Sequence, residues 1–501
     1  MKVSEKLIGK CLTILGFLVL ILVAVSSING SIWSDETNSL INITSSYKLI
    51  FSNAVYDCHP PLYHLLLKTF VDAAQILGIN RIYLSKIFSI IPFFIIYVFV
   101  IINTHKQNKN MLIGTFLFCL CAMPNLMTYA IQIRMYSWAL FFVFMTFAYA
   151  YEVLTCESKK SIILFVFFSL LSSFTHYYAC VSVAFIYLFI FIYMFFAQRE
   201  KFKKFLIAAL VIVALFLPWL ISIIDTIKNV ISGFWIKPVS LNSLIGYIWF
   251  ILFPNIYKYH LSGILGIIMA ATFLVALCNY LKSKDRKKID KIYVLMGIGC
   301  TAGTLLFGVA ASLLLGPVYQ DRFIYPTLAV LWLVFSICAC SIKNDRVRSG
   351  IRIIILVFCI INVTDVISKE HIYKENLQKF ENAMDNIDIE KSVIVTDSYH
   401  ISCCMSFYFE EENVNVPVYL WNNETDGMWI KGTFYQNLNN LGDINIIEEY
   451  VNLKNDVLFL ENVGYNSDFI EKCNASSLNV EKLGQYGLED REFTLYRIEG
   501  D

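Results

Sequence analysis

Two adjacent carboxylates, Asp35 and Glu36 in Ser-Ile-Trp-Ser-Asp-Glu-Thr-Asn-Ser, stand just beyond a long apolar run, in a region where acids are sparse. A carboxylate near a lipid-facing wall is costly to desolvate, so it is paired, functional or a solvated loop acid. Held in place, one carboxylate suffices as general base for an attacking hydroxyl or amine. Arg81, Arg134 and Arg322 are the arginines that the topology argued below puts on the same side of the membrane portion. A guanidinium keeps its charge and grips phosphate with two N–H groups, while the bland alternative is a side chain snorkelling to the interface. Lys86, one turn into an apolar stretch, is a further phosphate candidate on the same terms. His59 precedes two prolines, which set an extended turn and then permit a helix to start, so it either caps that turn or lines a cavity. Asp57 either assists there or bonds amides of the turn. Phe-Thr-His-Tyr-Tyr at 174–178 brings His176 and Tyr177 to the end of an apolar run, where such a cluster reads as an interfacial belt or a sugar-binding surface.

The elements that must hold these residues are membrane helices. Of 501 residues, 57% are hydrophobic and only 16% charged, which excludes a secreted soluble enzyme, a disordered regulator and a nucleic-acid binder. Runs of about 20 apolar residues, long enough to cross a bilayer, occur near 8–28, 82–103, 111–129, 135–154, 161–177, 178–197, 204–223, 261–281, 291–315, 323–342 and 351–367. These predict about eleven spans. Residues 59–78 compete as a further span, but reading them as a helix lying flat on the membrane places the basic clusters from Lys2 through Arg352 on one side. That side is then cytoplasmic by the positive-inside rule, the first run is a retained anchor, and 243–253 dips into the membrane without crossing.

From residue 368 the chain changes character: residues 369–501 carry 10 basic against 25 acidic side chains, out of 40 and 39 in the whole chain. β-like runs at Ser392–Thr396, Val414–Leu420, Asp456–Leu460 and Glu492–Ile498 alternate with helix-compatible stretches, predicting a small α/β domain outside the membrane with its own core. The expected fold is an α-helical polytopic membrane domain over 1–367 followed by an extracytoplasmic α/β domain over 368–501. Asn-x-Ser/Thr triplets at Asn42, Asn423 and Asn474 face outward and do not by themselves establish glycosylation. The 14 cysteines have no zinc-site spacing and behave as small apolar residues; no metal site is read, no cofactor is called for, and a divalent metal stays open.

The Asp-Glu pair, the Tyr-Asp-Cys-His-Pro-Pro-Leu-Tyr-His stretch at 56–64, Arg81 with Lys86, Gln-Ile-Arg-Met-Tyr-Ser at 132–137 and Gln-Asp-Arg-Phe-Ile-Tyr-Pro at 320–326 together resemble the GT-C superfamily of polyprenyl-phosphate-sugar-dependent glycosyltransferases. The nearest group holds the protein O-mannosyltransferases (glycosyltransferase family 39) and the aminoarabinose transferase that modifies lipid A. The resemblance is best over 30–180. It implies a first outer loop continuing as membrane-parallel helices and Asp35 as base with Glu36 beside it. It further implies donor-phosphate binding by Arg81, Arg134, Arg322 and Lys86, and a cavity lined from Asp57, His59, Tyr63, Tyr136, His176, Tyr177 and Asp321. The chain departs from the family after the His-Pro-Pro helix, reading Arg-Ile-Tyr-Leu-Ser-Lys where an Arg-x-Pro-Ser-like sequence is usual, which leaves the partners of Arg81 open.

The expected activity is inverting transfer of one sugar, hexosyl or pentosyl, from a polyprenyl-phosphate carrier to a protein, lipid or glycan acceptor at the outer face of the cell membrane. The lack of a large nucleotide-sugar-binding domain on the cytoplasmic side motivates the lipid-linked donor. The alternatives are a transporter or flippase of lipid-linked glycans, disfavoured by the lack of inverted repeats, and a surface-polysaccharide polymerase or ligase. The expected partners are the lipid-linked donor, an acceptor and the bilayer, with no nucleic acid.

Overall fold

The computed structural model describes residues 4–57, 59–104, 109–156, 158–233, 236–256, 259–385, 387–421, 439–453, 455–464, 467–489 and 491–500. The Asn423 triplet, Lys2 and Lys106 lie outside the described residues. The chain divides into two compact units, one of residues 1–27, 57–63 and 89–367, the other of residues 28–56, 64–88 and 368–501.

Apolar helices build the first unit. Among the described residues of the whole chain, nine helices are long and apolar enough to cross a membrane: Glu5–Ser27, Arg81–Asn103, Tyr136–Thr155, Tyr177–Ala197, Arg199–Ser222, Tyr259–Lys282, Lys288–Leu314, Asp321–Cys340 and Asp345–Met384. The other two stretches read as spans also form helices, Asn110–Ala122 of 13 residues and Lys159–Thr175 of 17. Outward-facing Ile14, Leu18, Leu22 and Val25 on the first helix and Ile207, Leu210, Val213 and Leu217 on the Arg199–Ser222 helix give these elements a lipid-compatible surface. The Asp321–Cys340 helix is by contrast almost wholly buried and forms the centre of the bundle. Close approach is made by small residues, as expected where lipid removes most of the hydrophobic drive between helices. Gly9 and Gly114 pack backbone against backbone, so a Cβ on either would run into the other helix. The helix Leu241–Leu252 has 12 residues and rises about 18 Å, too short to cross a hydrocarbon core of about 30 Å.

The segment between the first two long apolar helices folds as helices Ser34–Thr44, Tyr47–Ala54 and Leu62–Ala74, the first two wholly within the second unit. The last has 13 residues and is likewise too short to span, at about 20 Å. A short 3-10 turn, Gln75–Leu77, ends at Gly78 with φ +67°, a left-handed conformation that glycine adopts without steric cost. Asn80 then starts the Arg81–Thr104 helix, its Oδ1 accepting the Ile82 amide at 2.7 Å.

The C-terminal part of this unit is one six-stranded sheet: β1 (Ser392–Thr396), β2 (Val418–Trp421), β3 (Asn439–Leu441), β4 (Asp456–Asn462), β5 (Asn479–Gly487) and β6 (Glu492–Glu499), in the order β3-β2-β1-β4-β6-β5. β1 to β4 are parallel neighbours, while β6 runs antiparallel to both β4 and β5. Every residue of β1 is buried, as a central parallel strand requires. Ile394 faces a core with Phe380, Ile401, Met405 and Phe493, and Val393 and Val395 face a second core with Ile447, Phe469 and Cys473. Helices thus cover both faces of the sheet.

Candidate functional site

In the second unit, Asp35 and Glu36 occupy the first turn of the Ser34–Thr44 helix, where the exposed amides and the helix dipole favour negative charge. The two carboxylates have different fates. Glu36 is buried, with Oε2 3.4 Å from the Trp33 amide that donates to it, whereas Asp35 is half-buried. Lys86 is buried nearby, its Nζ 3.5 Å from Glu489 Oε1 and 3.5 Å from Asn29 Oδ1, and Asn29 donates to Glu370 Oε2 at 2.8 Å. Glu36 and Glu370 add their charge to the same surroundings. One lysine therefore serves three carboxylates that burial would otherwise penalise.

Arg81 has a protein carboxylate of its own. Its Nε donates to Glu411 Oε2 at 2.7 Å, its backbone N–H to Glu411 Oε1 at 3.1 Å, and its guanidinium lies over the Phe407 ring at 5.9 Å. The Ser34–Thr44 helix is secured by the same Tyr399–Glu411 helix: Tyr408 Oη accepts the Ile32 amide at 3.1 Å and donates to the Gly30 carbonyl at 3.0 Å, and Thr37 Oγ1 meets Cys404 Sγ at 3.2 Å. Asn29, Glu370, Tyr408, Glu411 and Glu489 are residues that reading the sequence missed, and no local signal marks them.

The first unit gathers the aromatic and cationic candidates. His176 sits at 5.7 Å from His59, 6.1 Å from Tyr136 and 5.4 Å from Phe323, ring centre to ring centre. Asp57 Oδ1 lies 3.5 Å from His59 Nδ1. Arg134 is buried, Arg322 is half-buried, and both cations act on His176. Tyr63 is buried, Tyr177 is half-buried at the start of the Tyr177–Ala197 helix, and exposed Asp321 uses Oδ1 to accept the Arg322 amide at 2.7 Å. Tyr136 and Tyr325 pack at 6.2 Å, and Tyr325 Oη donates to the Leu126 carbonyl at 2.7 Å, so this wall is fixed by hydrogen bonds as well as by ring contacts.

Among the described residues, no group of three or more His, Cys, Asp or Glu side chains is arranged to hold a metal ion. The first unit offers guanidinium and imidazole donors among aromatic rings, and the second offers a half-buried carboxylate beside a buried one.

No family model matches the chain, and no curated protein matches it. Among solved structures it is similar to ArnT from Cupriavidus metallidurans in the apo state, with a TM-score of 0.62 at 8% sequence identity, over 96% of this chain and 97% of that one. ArnT bound to undecaprenyl phosphate matches with the same values. The fold is thus ArnT-like from end to end, with both the polytopic helical part and the small C-terminal sheet that the sequence predicts.

Proposed function

We propose that the protein is a membrane glycosyltransferase that moves a single sugar from a polyprenyl-phosphate carrier to an acceptor on the outer face of the cell membrane, with inversion at the transferred carbon. The observation that carries this reading is the ArnT-like fold over 96% of the chain, a fold that in ArnT binds undecaprenyl phosphate.

Asp35 is assigned as the base. Of the two adjacent acids it is the more exposed, while Glu36 is buried close to Lys86 and serves to hold the helix that presents Asp35. The acceptor hydroxyl attacks the anomeric carbon as Asp35 takes its proton. The bond from that carbon to the phosphate oxygen breaks, and polyprenyl phosphate leaves with one more negative charge than the donor carried. Cations aimed at that charge from a poorly hydrated wall lower the barrier. Arg134 and Arg322 are assigned to the phosphate, because both act at the aromatic wall around His176. Arg81 and Lys86 already hold the carboxylates of Glu411 and Glu489, which a phosphate would have to displace.

The test is reconstitution of the full chain in liposomes with synthetic undecaprenyl-phosphate sugars and candidate acceptors. Release of undecaprenyl phosphate together with a product one sugar heavier is expected. Strict dependence on a nucleotide sugar overturns the reading, and so does movement of the lipid-linked sugar across the bilayer without transfer. A product enlarged by a whole oligosaccharide assigns the chain to polymerisation instead.

A further inference from the structure

We infer that His176 is an uncharged member of the phosphate seat and gives its Nε2–H to an oxygen of the polyprenyl phosphate. This rests on the assignment of Arg134 and Arg322 to that phosphate.

The argument begins with an unusual cap. Ser, Thr, Asp and Asn are the favoured residues ahead of a helix, yet the Tyr177–Ala197 helix is capped by a histidine, whose Nδ1 accepts the Tyr178 amide at 3.1 Å. The neighbouring Thr175 hydroxyl is turned back to the Leu171 carbonyl at 2.6 Å. A ring nitrogen that accepts a hydrogen bond carries no proton, so the single proton of the neutral imidazole is on Nε2. That atom is buried and has no hydrogen-bond partner among the described residues. A buried donor left unmade is destabilising, and native proteins rarely keep one without a purpose.

Protonating the ring offers no relief. A second charge would be set beside Arg134, Arg322 and His59 inside a wall made by Tyr136 and Phe323. The imidazole therefore stays neutral, and its surroundings are positive. An N–H donor in such a place is satisfied by an anion with acceptor oxygens, and two guanidinium groups with one N–H match a phosphate. The neutral donor adds a hydrogen bond without adding to the repulsion among the cations when the site is empty.

Two measurements on the full chain in nanodiscs test this. His176→Asn keeps a side-chain oxygen able to cap the Tyr178 amide but lacks the reach of Nε2. It should unfold at the wild-type temperature while binding undecaprenyl phosphate about tenfold to a hundredfold more weakly, the range for a lost hydrogen bond to a charged group. His176→Gln extends an amide N–H toward the position of Nε2 and should recover most of the affinity. Separately, nitrogen-15 labelling of the 7 histidines and solid-state NMR of wild type should show the His176 ring neutral and protonated on Nε2, with that N–H signal moving when undecaprenyl phosphate is added. Wild-type affinity in His176→Asn, or an N–H signal indifferent to the lipid, overturns the inference even if sugar transfer proceeds normally. Failure of wild type to bind undecaprenyl phosphate at all overturns both this inference and the proposed function.

Discussion

Arg81 is where two roles part, and a double-mutant cycle with Glu411 separates them. The pair is close, with Nε to Oε2 at 2.7 Å, and sheltered, with the Glu411 side chain 10% exposed and that of Arg81 22%. Two unit charges whose centres are about 4 Å apart attract by about 4 kcal/mol at an effective dielectric of about 20, and desolvation of both ions offsets much of that. What remains is close to the value of a hydrogen bond to a charged group, about 1.5–3 kcal/mol. In Arg81→Ala, Glu411 keeps the backbone amide of residue 81 at 3.1 Å, so the single substitution should cost about 2 kcal/mol rather than the larger penalty of a stranded buried ion. Glu410, 4.0 Å from the guanidinium and half exposed, adds little. The assay is the opening free energy of the Tyr399–Glu411 and Ser34–Thr44 helices by hydrogen exchange in wild type, Arg81→Ala, Glu411→Ala and the double variant. A coupling of at least about 1.5 kcal/mol is expected. Additive effects within about 0.5 kcal/mol, together with a turnover loss in Arg81→Lys of about a hundredfold, would refute the reasoning and return Arg81 to the phosphate.

Asp35→Asn should leave folding and undecaprenyl-phosphate binding intact while sugar transfer falls by about a hundredfold or more; Glu36→Gln should instead shift the thermal midpoint, and the reverse pattern in a paired activity and unfolding measurement would exchange the two roles. Arg134→Lys and Arg322→Lys replace a two-pronged donor by a point charge, and at whichever of them holds the leaving phosphate kcat should fall about a hundredfold; wild-type turnover in both variants would move the phosphate elsewhere. Asp397, buried at the end of β1 with its pKa raised to about 6 by burial and by Glu461, binds its proton more tightly folded than unfolded, so the stability that it lends at low pH is lost as pH rises from about 4 to about 6. Asp397→Asn should therefore stabilise the full chain at pH 7.5 relative to pH 4.5, by about 2 kcal/mol, and equal shifts at both pH values would contradict the assignment. Gly114→Val drives side-chain atoms into the backbone of the first helix and should lower the thermal midpoint, whereas an unchanged midpoint would mean that the two helices can separate at no cost.

The fold was legible wherever the pattern that specifies an element lies within the element. Nine of the eleven apolar stretches match helices long enough to cross a membrane, because length and hydropathy are local properties, while the 111–129 stretch breaks at Met123–Asn125 and the 161–177 stretch forms a 17-residue helix. β1 and β4 begin where the sequence puts them, at Ser392 and Asp456, since buried parallel strands read as short runs of branched apolar residues. β5 was missed for the opposite reason. As an edge strand reading Asn-Val-Glu-Lys-Leu-Gly-Gln-Tyr-Gly it buries little of itself and carries the charge that protects an edge. β3 has three residues, too few for any pattern. At the candidate site, Asp35, Arg134 and His176 were found from residue type and spacing, but the partners of Arg81 and Lys86 lie 330 and 403 positions further on, and spacing says nothing over such a distance.

That distance has a consequence for how the chain is made. Arg81 and the helix carrying Asp35 leave the ribosome long before Tyr408 and Glu411, and at about 5–20 residues per second the interval is about 15–65 s. Through that time Glu36, Lys86 and Asn29 have none of the late-arriving carboxylates beside them, although the neighbouring apolar helices are already available for insertion. The segment after the first helix is thus finished last, and a chain released before residue 408 would hold a helix bearing Asp35 without the hydrogen bonds that Tyr408 makes just ahead of it. The part of the chain that carries the proposed base is completed by the Tyr399–Glu411 helix, made more than 300 residues later.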